Sequence, residues 1–302
     1  MRTSVIITNH NYADYVCEAI ESALAQTQTP DEIIVVDDGS TDDSVARIEK
    51  AYSDNSTVKL VQKKNGGHIT AFNAGVEHAT SDILFFLDAD DYYAETHIEK
   101  CLKSFSNHPR TEFLFTAYKY TGDKTGDVFR FNKSGSKGFS PISVYLARYW
   151  AGAQTSTLAV RRSLTERIFP YPESWASLTR GHGEVGLVYG SSILGAQKYY
   201  LREATVHYRA HGKNDTLNAL NSNNICFEVE LLTSKVTEHY WKKSGLSKEI
   251  LTKALSEFKT IEHPSKEELK VYQRLILRSP QPLLKRLEQW FSAWKHFKRT
   301  GQ

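Results

Sequence analysis

Cysteine is scarce in this chain. Cys17, Cys101 and Cys226 are the only three among 302 residues, and they lie far apart without paired spacing. That excludes a disulfide scaffold or a zinc knuckle and suits a reducing compartment. No apolar run approaches the roughly 18 residues that a membrane-crossing helix requires. Met1-Arg2 leads directly into Val5-Ile6-Ile7, far too short for a signal-peptide core. The expected location is cytoplasmic, at most peripheral to the inner face of a membrane. Charge of one sign is lacking too: a net charge of +3 gives no argument for nucleic acid as a partner. No Gly-x-Gly-x-x-Gly follows the first strand and no Gly-x-x-x-x-Gly-Lys-Ser/Thr occurs anywhere, which argues against a dinucleotide fingerprint and a P-loop.

What is present is a strand–helix rhythm. Ser4–Thr8 reads as a strand and Ala13–Ala25 as a helix. Glu32–Val36 is a second strand, followed by a helix over Asp42–Ala51 with Ser40 or Thr41 as its cap. Val58–Val61, a helix over Ile69–His78, and a strand from Ile83 complete a βαβαβαβ series, which implies a mostly parallel sheet with helices on both faces. Farther on, Ala94–Phe105 looks helical, and Glu112–Tyr118 and Thr155–Val160 look like strands. Gly122–Gly138 reads as a surface loop or small hairpin. From about Asn221 the texture is helical, broken at His263-Pro264 and Ser279-Pro280.

Five apolar residues, Ile83-Leu84-Phe85-Phe86-Leu87, run straight into Asp88-Ala89-Asp90-Asp91. An unalternating apolar run is a strand buried on both faces. Such sheets bind ligands outside the carboxyl ends of their strands, where these aspartates sit. Like charges gathered there are held together by a hard cation such as Mg2+ or Mn2+, or else they form an Asp-rich turn that merely ends the strand. The other three strands also end in polar or Gly-containing tips: Thr8-Asn9-His10-Asn11-Tyr12, Asp37-Asp38-Gly39-Ser40 and Lys63-Lys64-Asn65-Gly66-Gly67. Four such tips suit a nucleotide crevice. Asp37 or Asp38 can accept from a base or a ribose, Tyr12 can stack on a base, and Lys63, Lys64 and the amides near Gly66 can meet phosphate.

These tips, with Gln26–Asp42, Asn65-Gly66-Gly67 through Ala71-Phe72-Asn73-Ala74-Gly75, Leu87–Asp91 and Tyr208-Arg209-Ala210-His211-Gly212-Lys213-Asn214, resemble the family-2 glycosyltransferases of the GT-A fold. The likeness covers about residues 3 to 215 in the family's order. It implies an α/β, Rossmann-like, mostly parallel sheet over residues 1–220, with a donor-binding half at 1–91 and an acceptor half at 92–220; residues 221–302 carry none of the likeness and read, from their own texture, as a helical C-terminal extension. It implies an inverting transfer of sugar from a nucleotide-diphosphate sugar, by default a UDP-sugar, to a hydroxyl of a glycan or lipid-linked acceptor, and the lack of the Gln-x-x-Arg-Trp motif and membrane-spanning helices of the family's processive synthases reads as non-processive. Donor contacts then fall on Thr8, Asn9, Tyr12, Asp37, Asp38, Lys64, Gly66, Asp88, Ala89 and Asp90. Mg2+ or Mn2+ would rest on Asp90, with Asp91 beside it and His211 either completing the shell or hydrogen-bonding the pyrophosphate. Glu184, in Gly181-His182-Gly183-Glu184-Val185, is the candidate general base. The family often shows two adjacent acids there, whereas Val185 follows here. Trp175 is a candidate sugar platform or a core aromatic, and Gly212–Asn223 a candidate lid.

The rival readings are a sugar-phosphate nucleotidyltransferase, which would want a Gly-rich basic loop after the first strand, and a non-catalytic donor-binding homologue. In the tail, Leu283, Leu287, Trp290, Phe291, Trp294 and Phe297 repeat at helical spacing, flanked by Lys and Arg. Residues 281–302 therefore either lie on an anionic membrane surface or dock on protein.

Overall fold

The computed structural model describes residues 1–178, 181–212 and 223–301. In the first half, β1 (Thr3–Asn9), α1 (Val16–Leu24), β2 (Glu32–Asp37), α2 (Ser44–Tyr52), β3 (Val58–Gln62), α3 (His68–His78) and β4 (Ile83–Asp88) alternate as the periodicity predicts. There follow β5 (Tyr92–Tyr93), α4 (His97–Asn107), β6 (Phe113–Gly122), β7 (Gly126–Val128), β8 (Gly135–Gly138), α5 (Pro141–Ala147), β9 (Leu158–Arg161), α6 (Arg162–Ile168), α7 (Glu184–Ile193) and β10 (Lys198–Ala210). The chain continues through α8 (Asn223–Ser244), α9 (Ala254–Phe258), α10 (Lys266–Arg278) and α11 (Leu283–Thr300).

The strands form one sheet in the order β3-β2-β1-β4-β9-β6-β10-β5, with β7 on β6 and β8 on β10. Strands β1 to β4 are mutually parallel, and so are β6 and β10. Strand β9 lies between β4 and β6 and is antiparallel to both. Register sets the site. Thr8 lies opposite both Val36 and Asp88, and Asn9 opposite Asp37, so the tips of β1, β2 and β4 end side by side.

Alternation across each strand divides the interior in two. Ile6, Ile34, Val36, Leu84 and Phe86 face a layer that includes α3, α7 and α8. Val5, Ile7, Ile33, Val35, Phe85 and Leu87 face α1, α2 and α4. Each fully buried side chain of this size contributes about 1.5–3 kcal/mol relative to exposure. Gly75, in the middle of α3, costs helix propensity but permits close packing: a Cβ there would stand 2.4 Å from Ile6 Cγ2. Helix α8 belongs to the same core through Leu232, Val236 and Tyr240, whose hydroxyl donates to the Ile168 carbonyl at 2.8 Å. Helices α9, α10 and α11 build a third cluster with Ile142 of α5.

Some local readings need correction. Neither Ser40 nor Thr41 caps α2. The Ser40 hydroxyl donates to Asp37, the Thr41 N–H donates to Asn11, and the helix begins two residues later at Ser44. A 3-10 turn over Thr155–Thr157 precedes β9, so the strand is shorter than its apolar pattern. Of the two readings of Gly122–Gly138 the hairpin holds, because β7 turns back antiparallel on β6, and a further strand, β8, pairs with β10. The tail stripe splits: Ala293, Trp290 and Phe297 pack into the third cluster, whereas Leu283, Leu287, Phe291 and Trp294 are exposed. Among the described residues, no helix is long and apolar enough to cross a membrane.

Candidate functional site

A cavity of about 550 Å3 opens at the tips of β1, β2 and β4. Of the residues singled out in the sequence, Thr8, Asn9, Tyr12, Asp38, Asp88, Asp90 and Glu184 line it. Thus the strand tips meet the start of α7, about a hundred residues later in the chain. Asn11 and His182, both on the cavity wall, are non-glycine residues with positive φ of 59° and 62°. Such conformations cost of order 1–3 kcal/mol and persist where surrounding contacts impose them. At Asn11 the side-chain carbonyl accepts the Thr41 and Asp42 N–H groups and ties the β1 tip to the β2 tip.

Other predicted residues are buried beside the cavity rather than on its wall. Asp37 accepts from Asn9 Nδ2 at 2.8 Å and from the Ser40 N–H and hydroxyl, so it knits the β1 and β2 tips together. Asp91 accepts the Ser156 hydroxyl at 2.6 Å and the Arg209 N–H at 2.9 Å. Burial, followed by the charges of Asp90 and Asp88, pushes its carboxyl well above the usual range. Ala89 is fully buried, with its N–H on the Thr8 carbonyl. Lys64 is exposed, and its side chain does not line the cavity.

Asp38 gathers its own cradle. The Lys63 ammonium lies 2.5 Å from Oδ1, and the Gly66 and Gly67 N–H groups donate to the two oxygens at 3.0 and 2.7 Å. Lys63 and the Gly66 amide, expected to meet phosphate, are therefore engaged with a carboxylate. The physical reason is proximity: the Lys63 N–H pairs with the Asp37 carbonyl, which sets the tip of β3 against that of β2. Asp90 Oδ2 lies 3.0 Å from His211 Nε2. Burial raises the Asp90 carboxyl and Asp88 adds to that, while His211 opposes it. Lys213 and Asn214 of the same motif, and all but the ends of the Gly212–Asn223 stretch, lie outside the described residues.

Two cavity residues, His68 and Trp150, escaped the sequence reading. His68, the first residue of α3, sits between Thr8 Oγ1 at 3.0 Å and Asp88 Oδ1 at 3.1 Å, and its Nδ1 accepts the Gly183 N–H at 3.3 Å. Its only sequence signal is its place directly after the Gly66-Gly67 tip. Trp150 lines the cavity, and no motif marks it. His182 stands 3.5 Å from Glu184 Oε1. Burial pushes Glu184 up, but the His182 and His68 imidazoles outweigh it and hold the carboxyl below its ordinary value. Trp175 is a core aromatic: it is buried among Tyr171, His239 and Tyr240.

Comparison with known proteins bears on the family and the fold. The model of the family described as "Glycosyl transferase family 2" matches residues 4–169. An uncharacterized glycosyltransferase of Nostoc sp. is 34% identical over 230 residues, which is 74% of this chain and 69% of that protein. The chondroitin synthase of Pasteurella multocida is 39% identical over 113 residues, but these are only 37% of this chain and 12% of the synthase. S. aureus TarS 1–349, solved in complex with UDP, superposes with a TM-score of 0.57 at 17% identity, covering 99% of this chain and 92% of that one, a likeness of fold. With more than half of its length matched by the family model and a relative 34% identical of which it covers 69%, this chain is a glycosyltransferase belonging to glycosyl transferase family 2.

Proposed function

We propose that the cavity binds a nucleotide-diphosphate sugar, with UDP as the nucleotide, and transfers the sugar with inversion to a hydroxyl of a glycan or lipid-linked acceptor, one residue at a time. The observation that carries this reading is the convergence of Glu184 with Asp38, Asp88 and Asp90 on one cavity. Support for UDP comes from the neighbouring fold of TarS, solved with UDP and with UDP-GlcNAc. Support for a glycan acceptor comes from the chondroitin and hyaluronan synthases, of which this chain spans about an eighth.

In this reading residues 1–220 act as the catalytic unit, with 1–91 holding the donor and 92–220 the acceptor. Asp38 faces the base, Asp88 the ribose, and Tyr12 offers a ring face. Glu184 is a carboxylate held ionised beside two imidazoles, the state a general base requires. It takes the proton of the acceptor hydroxyl as that oxygen bonds to the anomeric carbon. The bond from that carbon to the diphosphate oxygen breaks on the opposite face, and its electron pair leaves with the nucleoside diphosphate. The half-buried Trp150, on the cavity wall, offers an apolar surface for a sugar ring.

The donor set fits a divalent cation of the Mg2+ or Mn2+ kind. Ligands adjacent in an octahedron with bonds of about 2.1 Å stand about 3 Å apart. Asp90 Oδ2 and His211 Nε2 are separated by 3.0 Å. Asp90 and His211 would hold the ion, and substrate phosphates and water would supply the rest of its shell. When bound, the cation supplies neutralisation of the charge developing on the leaving diphosphate. Asp91, engaged with Ser156 and Arg209, orients the Asp90 segment instead of joining the ion.

A thermal-shift screen of UDP, GDP, dTDP and CMP, each with and without Mn2+, tests the donor site, because a ligand bound only to the folded state raises the melting temperature. The reading predicts a metal-dependent rise with UDP. No rise with any of the four would overturn it.

A further inference from the structure

Helix α11 has two apolar faces, and the protein covers only one. Ala293, fully buried, packs with Trp290 and Phe297 against Phe258, Tyr272 and Ile276. His296 meets the Phe258 ring edge-on, and the Arg286 guanidinium donates to the Leu277 carbonyl at 2.7 Å. These contacts fix the roll of the helix about its axis. On the adjoining side Leu284, Leu287, Phe291 and Trp294 recur at steps of three and four residues and so share one face. Leu284 is 77% and Phe291 56% exposed.

Charge decides what covers that face. Lys295 and Lys298 stand in the same arc as Phe291 and Leu284, with the Lys298 ammonium 5.6 Å from the Trp294 ring centre. Arg299 borders it, and so does Glu288, the helix's one acid. A second copy seated on the same face would set these lysines against each other with little to answer them, and like charges brought together oppose association. An anionic bilayer surface answers both features. Its interface accepts leucine and aromatic side chains to a depth of about 5–10 Å, while lysine stems lie along the apolar surface and carry their ammonium groups to the headgroups.

We propose that α11 is an interfacial helix that adsorbs this glycosyltransferase onto anionic lipid bilayers through Leu284, Leu287, Phe291 and Trp294. The claim concerns adsorption alone and does not depend on which donor the cavity takes. It is tested with the 302-residue protein, no nucleotide sugar, and vesicles of phosphatidylcholine or of phosphatidylcholine and phosphatidylglycerol in equal parts. The protein should sediment with the anionic vesicles, release at high salt, and show a blue-shifted tryptophan emission. The triple variant Leu284→Ser/Phe291→Ser/Trp294→Ser changes only exposed side chains, so its melting temperature should hold while partitioning falls by roughly tenfold or more. Lys295→Glu/Lys298→Glu should also weaken binding, and only to the anionic vesicles. Equal binding by the triple variant, or binding indifferent to lipid charge and salt, would overturn the proposal. So would a concentration-dependent dimer in sedimentation velocity that the triple variant abolishes, since it would make a second copy the occupant.

Discussion

His68 Nε2 lies 3.1 Å from Asp88 Oδ1, and this contact joins the two sides of the cavity. Because the opposite ring nitrogen accepts the Gly183 N–H, the neutral imidazole carries its proton on Nε2 and donates it toward Asp88 or Thr8. One ring thereby braces the tip of β4 and the turn that presents Glu184. His68→Ala should lower kcat/KM about tenfold to a hundredfold, the scale expected for small displacements of reacting groups. His68→Gln, which keeps a donor, should recover part of it. Wild-type kinetics for His68→Ala, measured by nucleotide release with the acceptor present, would remove this role.

Glu184→Gln keeps the shape of the side chain and removes its basicity. The expected loss in kcat is about 10²–10⁴-fold, with the nucleotide-dependent rise in melting temperature unchanged. A parallel loss of nucleotide binding would instead mark Glu184 as a donor-binding residue.

Asp90 and His211 share the proposed cation. Asp90→Asn should abolish metal-stimulated turnover, and His211→Ala should weaken the Mn2+ requirement by roughly tenfold or more. Chelation of the wild-type enzyme should reproduce the Asp90→Asn phenotype. Full turnover by Asp90→Asn in the presence of chelator would sink the assignment.

Lys63 holds a nearly buried carboxylate. Lys63→Met leaves Asp38 with only the Gly66 and Gly67 amides. The expected cost is about 1–3 kcal/mol in chemical denaturation, together with weaker nucleotide binding. Unchanged stability would mean that the two amides alone suffice.

Glu257 carries a pH dependence of stability. Burial pushes its carboxyl up to about 7, although the Ile142 and Ser143 N–H groups and the Tyr272 hydroxyl oppose the shift. Between its unfolded value near 4.5 and about 7, the folded state binds the proton more tightly than the unfolded state. Its contribution to stability is therefore fully present below about pH 4.5 and is lost as pH rises through 7. Wild type should lose about 1–3 kcal/mol more than Glu257→Gln across that window. Parallel stability–pH curves for the two proteins would contradict the shift.

The sequence by itself determined the parallel half of the sheet and the cluster of polar strand tips. Apolar runs at Val5–Ile7, Ile33–Val36 and Ile83–Leu87, separated by helical spacing, leave a buried parallel sheet as the way to satisfy both faces and the backbone. It also marked the resemblance that the family comparison bears out. Tertiary structure alone decided which tip residues face the cavity. Asp37 and Asp38 are adjacent in the chain, yet alternation along the strand end turns one into the knot between β1 and β2 and leaves the other on the cavity wall. The same holds for Trp150 and Trp175, indistinguishable by composition, of which one lines the cavity and the other is buried against α8 residues. His68 and Gly183 meet across 115 residues, and the two faces of α11 are divided only by what packs beneath Ala293. Local sequence fixes period and propensity, but which member of a polar cluster reaches the solvent-filled crevice depends on contacts between segments that the chain brings together only on folding.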